Sequence, residues 1–225
     1  MFKHWLLLCI CFFVVHPALA AQDYRVGDHE LFIMSTGDMM PKGTSCFTDY
    51  ELFLLKYTYA PTDNTHFGIL MPFPIVTEAF EYATGHVKHR YLNTPTFKSA
   101  AFATFTAKEG LFTLGNVITM GKAKTNFNLE ASYCGSLTDS TVSTLIYMLG
   151  IRHRISAKAS LMVEYINAQN LINRYEYEDI GGVLNFGLRL QFRKVSLDIG
   201  GIRPLRGDTG SLLLLPFLKV SLLLN

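Results

Sequence analysis

Once its first twenty residues are set aside, the chain has no run of ~18 consecutive apolar residues, which excludes a spanning α-helix. It is poor in cysteine. Of four in 225 residues, Cys9 and Cys11 fall in the leader, leaving Cys46 and Cys134. One pair in a chain this long is no disulfide scaffold, and without Cys-x-x-Cys or paired Cys/His spacing a structural zinc site is excluded; no metal or cofactor is expected. An exporting compartment permits a Cys46–Cys134 bridge, but the spacing does not imply one, and two small buried or half-buried residues on separate strands is the preferred reading. Charge is scarce too, with Asp, Glu, Lys and Arg making 17% of the chain and a net charge of +2. The basic residues are dispersed, so neither nucleic acid nor an anionic surface is indicated as partner. Gly-x-Ser-x-Gly, His-Glu-x-x-His, Walker and Gly-x-Gly-x-x-Gly arrangements are all lacking.

What is present begins with export. Lys3 supplies a positive start, Trp5 to Val15 form an apolar core, and Ala18-Leu19-Ala20 is a small-x-small cleavage site. This is the layout of a secretory signal peptide over residues 1–20, with residues 21–225 left as a single β-barrel domain.

Gly182 to Gly201 is the most telling stretch. Leu184, Phe186, Leu188, Leu190 and Phe192 alternate with Asn185, Gly187, Arg189, Gln191 and Arg193. After a tight junction Val195, Leu197 and Ile199 alternate with Lys194, Ser196 and Asp198. A period of two puts the two sets on opposite faces of a sheet. Similar alternation marks Tyr50 to Tyr59, His66 to Phe73, Gly85 to Leu92, Phe97 to Ala107, Phe112 to Met120, Asn126 to Tyr133, Thr141 to Arg154 and Ala157 to Ile166. Glu30 to Ser35 reads as a short first strand and Leu212 to Leu224 as the last, with Pro216 and Lys219 arguing against a helix there. Pro74 to Thr84 fits either a short helix or the start of a strand. Asn167 to Asp179 is a longer polar loop, and Arg206-Gly207-Asp208-Thr209-Gly210 a turn. High mean hydropathy without long apolar runs is what alternating membrane strands produce. The pattern predicts an all-β, antiparallel up-and-down transmembrane β-barrel of about 10–12 strands. Tyr57, Tyr59, Tyr91, Tyr133 and Tyr165, recurring near strand ends, fit interfacial girdles.

The closing stretch from Asn185 to Gly201, followed by Leu215-Pro216-Phe217-Leu218-Lys219-Val220, resembles the final hairpins of small outer-membrane β-barrel proteins of Gram-negative bacteria. The resemblance implies residence in the outer membrane, contact with its lipid, and insertion by the barrel assembly machinery. Members usually end in an aromatic residue read by that machinery; Leu222-Leu223-Leu224-Asn225 departs from the pattern. Nothing in the sequence sets an oligomeric state.

Function should rest on the polar faces. This register puts Lys56, Lys88, Arg90, Glu130, Arg152, Arg154, Lys158, Glu164, Arg189, Arg193 and Asp198 toward the lumen. Mixed charges line a wet bore or pair across a narrow one, and Glu164, Arg189 and Asp198 on adjacent strands predict an ion network. Three functions fit: a narrow porin-like pore or structural membrane protein; a periplasmic lipid- or ligand-binding barrel with its faces inverted; and an outer-membrane lipid-modifying enzyme. The last would draw on His66, His86, His89 or His153, but no catalytic residue is assigned. His86, Lys88, His89 and Arg90 also form a basic cluster suited to lipopolysaccharide phosphates or to a solvated edge.

Overall fold

Period-two alternation becomes a closed sheet. A computed structural model describes residues 24–74, 76–139, 142–167, 182–205 and 214–224. The expected signal peptide, the 206–210 turn and all but the first residue of the 167–179 loop lie outside the described residues. Twelve strands follow in order: β1 (Ser45–Tyr50), β2 (Leu54–Thr62), β3 (Thr65–Pro72), β4 (Thr84–Asn93), β5 (Phe97–Thr106), β6 (Leu111–Gly121), β7 (Thr125–Ser136), β8 (Ser143–Arg154), β9 (Ala159–Asn167), β10 (Val183–Gln191), β11 (Val195–Pro204) and β12 (Leu215–Leu224). Each pairs antiparallel with its sequence neighbours, and β1 pairs with β12 from Ser45↔Leu224 to Tyr50↔Lys219. Closure leaves no unpaired edge, which matters because lipid offers backbone groups no hydrogen bonds. Among the described residues no helix is long and apolar enough to cross a membrane.

One end of the barrel is tied by tight turns at 63–64, 94–96, 122–124, 155–158 and 192–194, the other by connections of three residues or more. The ambiguous 74–84 stretch is a short 3-10 helix, Thr77–Tyr82, at the loop end. Residue 44 and Leu224 both lie at the tight-turn end, as an even strand number dictates.

Burial is inverted relative to a soluble protein. Phe127, Leu149, Leu161, Phe186 and Ile199 face outward and are exposed, whereas Glu164, Arg189, Asp198 and Lys219 are fully buried inside. Tyr133 is exposed near the loop end. Near the tight-turn end the Tyr91 hydroxyl meets Ser99 at 2.6 Å and the Asn116 amide at 2.7 Å, so that polar trio satisfies itself on the outer wall.

Two expectations about the start of the barrel need correction. Glu30 to Ser35 is not a wall strand: it folds back on itself through a single Glu30↔Ser35 bridge, and β1 is Ser45–Tyr50. The stretch from Tyr50 to Tyr59 is not one strand either. Glu51 and Leu52 take left-handed φ of 56° and 63° and turn the chain between β1 and β2. Cys46 on β1 and Cys134 on β7 are free thiols in strands six places apart around the barrel.

Candidate functional site

Residues 24–44 fill the lumen. The segment enters at the tight-turn end, where Tyr24 packs against Met40, Cys46 and Ala60, and folds into a small hairpin held by Leu31 N–H to Met34 O at 2.8 Å and Thr36 N–H to His29 O at 3.2 Å. Its tip is apolar on both sides. Leu31, Phe32 and Met34 are buried against Ala100, Val117, Met162 and Phe217, with the Phe32 and Phe217 rings edge to face at 5.4 Å. Burial of each such side chain contributes about 1.5–3 kcal/mol.

The walls accommodate this hairpin with glycine and hold it with charge. A Cβ on Gly150 would come within 2.3 Å of Leu31 Cδ1 and 3.0 Å of Met34 Sδ, so only glycine lets the tip seat against β8. Within the plug, Gly27 takes φ +85°, and a Cβ there would meet Ser196 Oγ at 2.8 Å and Arg189 Cζ at 3.0 Å.

Buried main-chain groups must find partners, and here the wall supplies them. Arg189 donates to the carbonyls of Gly27, Glu30 (2.9 Å) and Leu31 (3.0 Å) while gripping Asp198 through two bonds of 2.7 Å. Lys88 donates to the carbonyls of His29, Thr36 and Asp38 at 3.0–3.1 Å. Lys219 reaches the carbonyls of Leu31 and Phe32 and lies 3.3 Å from Asp198. Carboxylates take the amides: Glu164 accepts from Ile33 and Met34, and Glu130 from Ser35, each at 3.2 Å.

Plug carboxylates in turn meet wall cations. Asp28 pairs with Arg152 at 2.5 Å and Arg154 at 3.7 Å, and Asp38 with Arg152 at 3.2 Å and with Lys98. Glu30 is gripped by Lys56 at 2.7 Å and Lys219 at 3.3 Å and accepts from the Tyr50 hydroxyl. Burial pushes the Glu30 carboxyl up, but Lys219 and Lys56 together hold it well below the usual carboxylate range. His29 is lowered well below the usual imidazole range by burial, against the pull of Glu30.

Nine of the eleven charged residues read toward the lumen lie on inward positions: Lys56, Lys88, Arg90, Glu130, Arg152, Arg154, Glu164, Arg189 and Asp198. Lys158 and Arg193 do not; both stand exposed in tight turns, where strand alternation no longer sets direction. Arg90 turns to the rim and binds Asp63 O and Asn64 Oδ1. The expected network is partly different as well. Arg189 and Asp198 pair, while Glu164 faces the plug amides and Asn185 rather than Arg189. Sequence reasoning missed Asp28, Glu30, Asp38, Lys98 and Lys219. The signal that marks the plug is Leu31-Phe32-Ile33-Met34, apolar without alternation and flanked by the carboxylates Asp28, Glu30 and Asp38.

The candidate histidines go to other partners. His86, His89 and His153 contact Thr58, Thr65 and Thr125 at 3.2, 3.0 and 2.8 Å, and His66 Nε2 accepts from the Met40 amide at 2.6 Å. A Ser–His pair is not among these contacts. Among the described residues no group of three or more His, Cys, Asp or Glu side chains gathers to hold a metal ion.

Among the described residues, a cavity on either side of the plug shares no lining residue with the other. One of about 420 Å³ opens toward the loop end above His29, Ile33 and Ser35. The other, about 310 Å³, opens toward the tight-turn end below Asp28 and Asp38.

No family model matches the chain, and no curated protein matches it. Among solved structures, a Salmonella typhi OmpF in complex with daunomycin aligns at 10% identity and a TM-score of 0.42, over 76% of this chain and 61% of that one. A mutant Rh. blastica porin aligns at 11% identity and a TM-score of 0.40, over 76% and 55%. LpxR from Salmonella typhimurium aligns at 10% identity and a TM-score of 0.42, over 80% and 99%. The chain thus spans only about six tenths of the length of the first of these porins.

Proposed function

We propose that this chain is an outer-membrane β-barrel protein whose lumen is held shut by its own residues 24–44: a closed or gated barrel, delivered by a cleaved signal peptide, rather than an open porin-like pore. The observation that carries this reading is the plug itself. Its carbonyls, amides and carboxylates are bound by cations and carboxylates from six or more wall strands, and the cavities above and below it have no residue in common. Charge-assisted bonds of this kind contribute about 1.5–3 kcal/mol each. The lipid-facing placement of the barrel is supported by its outer wall of Leu, Phe, Ile and Val over a buried polar interior. A periplasmic ligand-binding barrel would need those faces exchanged, with Phe186 and Ile199 inside and Arg189 and Asp198 outside. A lipid-modifying enzyme would need a Ser and a His at hydrogen-bonding distance on one rim; His86, His153 and His66 are turned instead to Thr58, Thr125 and the Met40 amide.

Fractionation and conductance test the proposal together. The protein is expected in the outer-membrane fraction after carbonate extraction, with heat-modifiable mobility on gels. In planar bilayers the whole chain should be silent, and a variant lacking residues 24–44 should conduct. Release by carbonate would overturn the location, and steady conductance by the whole chain would overturn the closed lumen.

A further inference from the structure

We propose, resting on the closed-lumen reading above, that the bore behind the plug is an anion filter: once residues 24–44 are unseated, the barrel passes small hydrated anions in preference to cations, selected in its tight-turn half by Lys98, Arg152 and Arg154. The wall supplies most of the positive charge in the lumen and leaves the plug to balance it. Lys56, Lys98, Arg152 and Arg154 meet the plug carboxylates Asp28, Glu30 and Asp38. Lys88, Arg189 and Lys219 donate to plug carbonyls. Against these seven inward cations the described wall sets three inward carboxylates, Glu130, Glu164 and Asp198, an excess of four positive charges. The three plug carboxylates offset most of it. Asp198 keeps Arg189 and Lys219 when the plug leaves, because all three belong to the wall. Lys56, Lys98 and Arg152 keep no carboxylate, since every salt bridge they make among the described residues is to the plug.

The asymmetry is sharpest in the tight-turn cavity of about 310 Å³. Its charged lining is Lys98, Lys122, Arg152 and Arg154 with Asp28 and Asp38, and both of these carboxylates belong to the plug. Glu130 and Glu164 are not among its lining; they hold the plug amides of Ile33, Met34 and Ser35. With the plug withdrawn, the described walls of this cavity keep four cations and no carboxylate. A cation stripped of its partner in a confined site is costly, so mobile anions take over the neutralising part that Asp28 and Asp38 play in the seated state. Pores lined by Arg and Lys select anions on this ground. The bias is substantial, because a single unit charge at contact distance shifts local ion concentrations about fivefold even in bulk water. At about 0.1 M salt the Debye length is about 10 Å, so cations around so narrow a passage act on a permeating ion together.

The test uses the full chain in planar bilayers, opened in two ways that leave the wall charges intact. Gly150→Leu crowds the plug tip, and Asp28→Asn with Asp38→Asn removes the carboxylates that hold the plug to Arg152 and Lys98. Folding is read from heat-modifiable mobility, and one folded, conducting variant suffices. Under a KCl gradient of about tenfold, with about 0.1 M salt on the dilute side, the reversal potential should show chloride permeating at least about fivefold more readily than potassium. In the same background Lys98→Glu and Arg154→Glu should each cut that ratio about fivefold, whereas Arg203→Glu, an equal charge change at an exposed position on the outer face of β11, should leave it within about twofold. A ratio at or below one in a folded, conducting variant, or a ratio unmoved by Lys98→Glu and Arg154→Glu, would overturn the filter. So would silence of both opened variants once folded, a result that leaves the closed lumen itself standing. Steady conductance by the unmodified chain would instead overturn the closed-lumen reading, so the two failures are distinguishable.

Discussion

Arg189→Met is the substitution that most directly tests how the lumen is closed. The guanidinium is fully buried, binds Asp198 twice at 2.7 Å, and donates to three plug carbonyls. Methionine conserves much of the side-chain length and removes every donor. Breaking a buried pair by deleting one partner costs about 3–5 kcal/mol. Lys219 also stands 3.3 Å from Asp198, so the carboxylate keeps one cation and the lower end applies. At about 3 kcal/mol, the fraction of molecules with an unseated plug rises by roughly two orders of magnitude. Met34, fully buried at the hairpin tip, provides the reporter. In a Cys46→Ser, Cys134→Ser background, Met34→Cys should react with a membrane-impermeant maleimide roughly a hundredfold faster when Arg189→Met is added. Arg189→Lys should fall between, since it keeps the charge without the paired geometry. A rate within a few-fold of the parent, in a barrel that still shows heat-modifiable mobility, would refute the assignment of Arg189 as the plug's anchor.

Other consequences follow from the same geometry. Gly150→Leu should unseat the plug without altering any charge, because its side chain would occupy the space of Leu31 and Met34; overpacking of about 1–3 kcal/mol predicts faster Met34→Cys labelling by roughly ten- to a hundredfold. Acidification should open the plug. His29 and Glu30 both sit below their usual values in the seated state, so the stability they contribute is present at neutral pH and is lost as pH falls, first through His29 below about pH 6.5 and later through Glu30. Conductance should therefore rise between pH 7.5 and pH 5.5, and His29→Phe should remove the rise; conductance that falls over this window would contradict the assignment. Ile199→Arg, at the middle of β11 on the outer wall, should destabilise folding into lipid vesicles by about 2–4 kcal/mol in urea titrations, and a loss below about 0.5 kcal/mol would contradict the lipid-facing register.

The wall was legible in the sequence wherever one face stayed apolar over five or more residues. β7 and the β10–β11 pair are examples, for lipid outside and charge inside enforce strict alternation. It failed at β1, where inward Cys46, Thr48 and Tyr50 and outward Phe47 and Asp49 mix the two classes. It failed also at the β1–β2 turn, where Glu51 and Leu52 adopt left-handed backbone without a glycine or asparagine to announce it. The plug was misread for a different reason. Six residues are too few for periodicity to separate a wall strand from a hairpin inside the lumen, and only the flanking carboxylates Asp28, Glu30 and Asp38 distinguish the segment. The charged positions could be placed on a face from sequence, but their partners could not. Most of those partners are main-chain carbonyls and amides of residues 27–38, which every residue possesses and no composition reveals.

Because the plug is a hairpin, its two ends leave the barrel by the same opening. Tyr24 packs beside the first residues of β1, Arg25 bonds Ala157 in the β8–β9 turn, and Thr44 leads directly into Ser45. No part of the segment is threaded through the bore. Sealing can therefore follow closure of β1 on β12, as a late docking event from the side on which both chain termini of the barrel lie. The order of assembly is thus left free: an empty barrel is a legitimate intermediate, and a tag placed ahead of Tyr24 would remain outside the lumen without having to cross it.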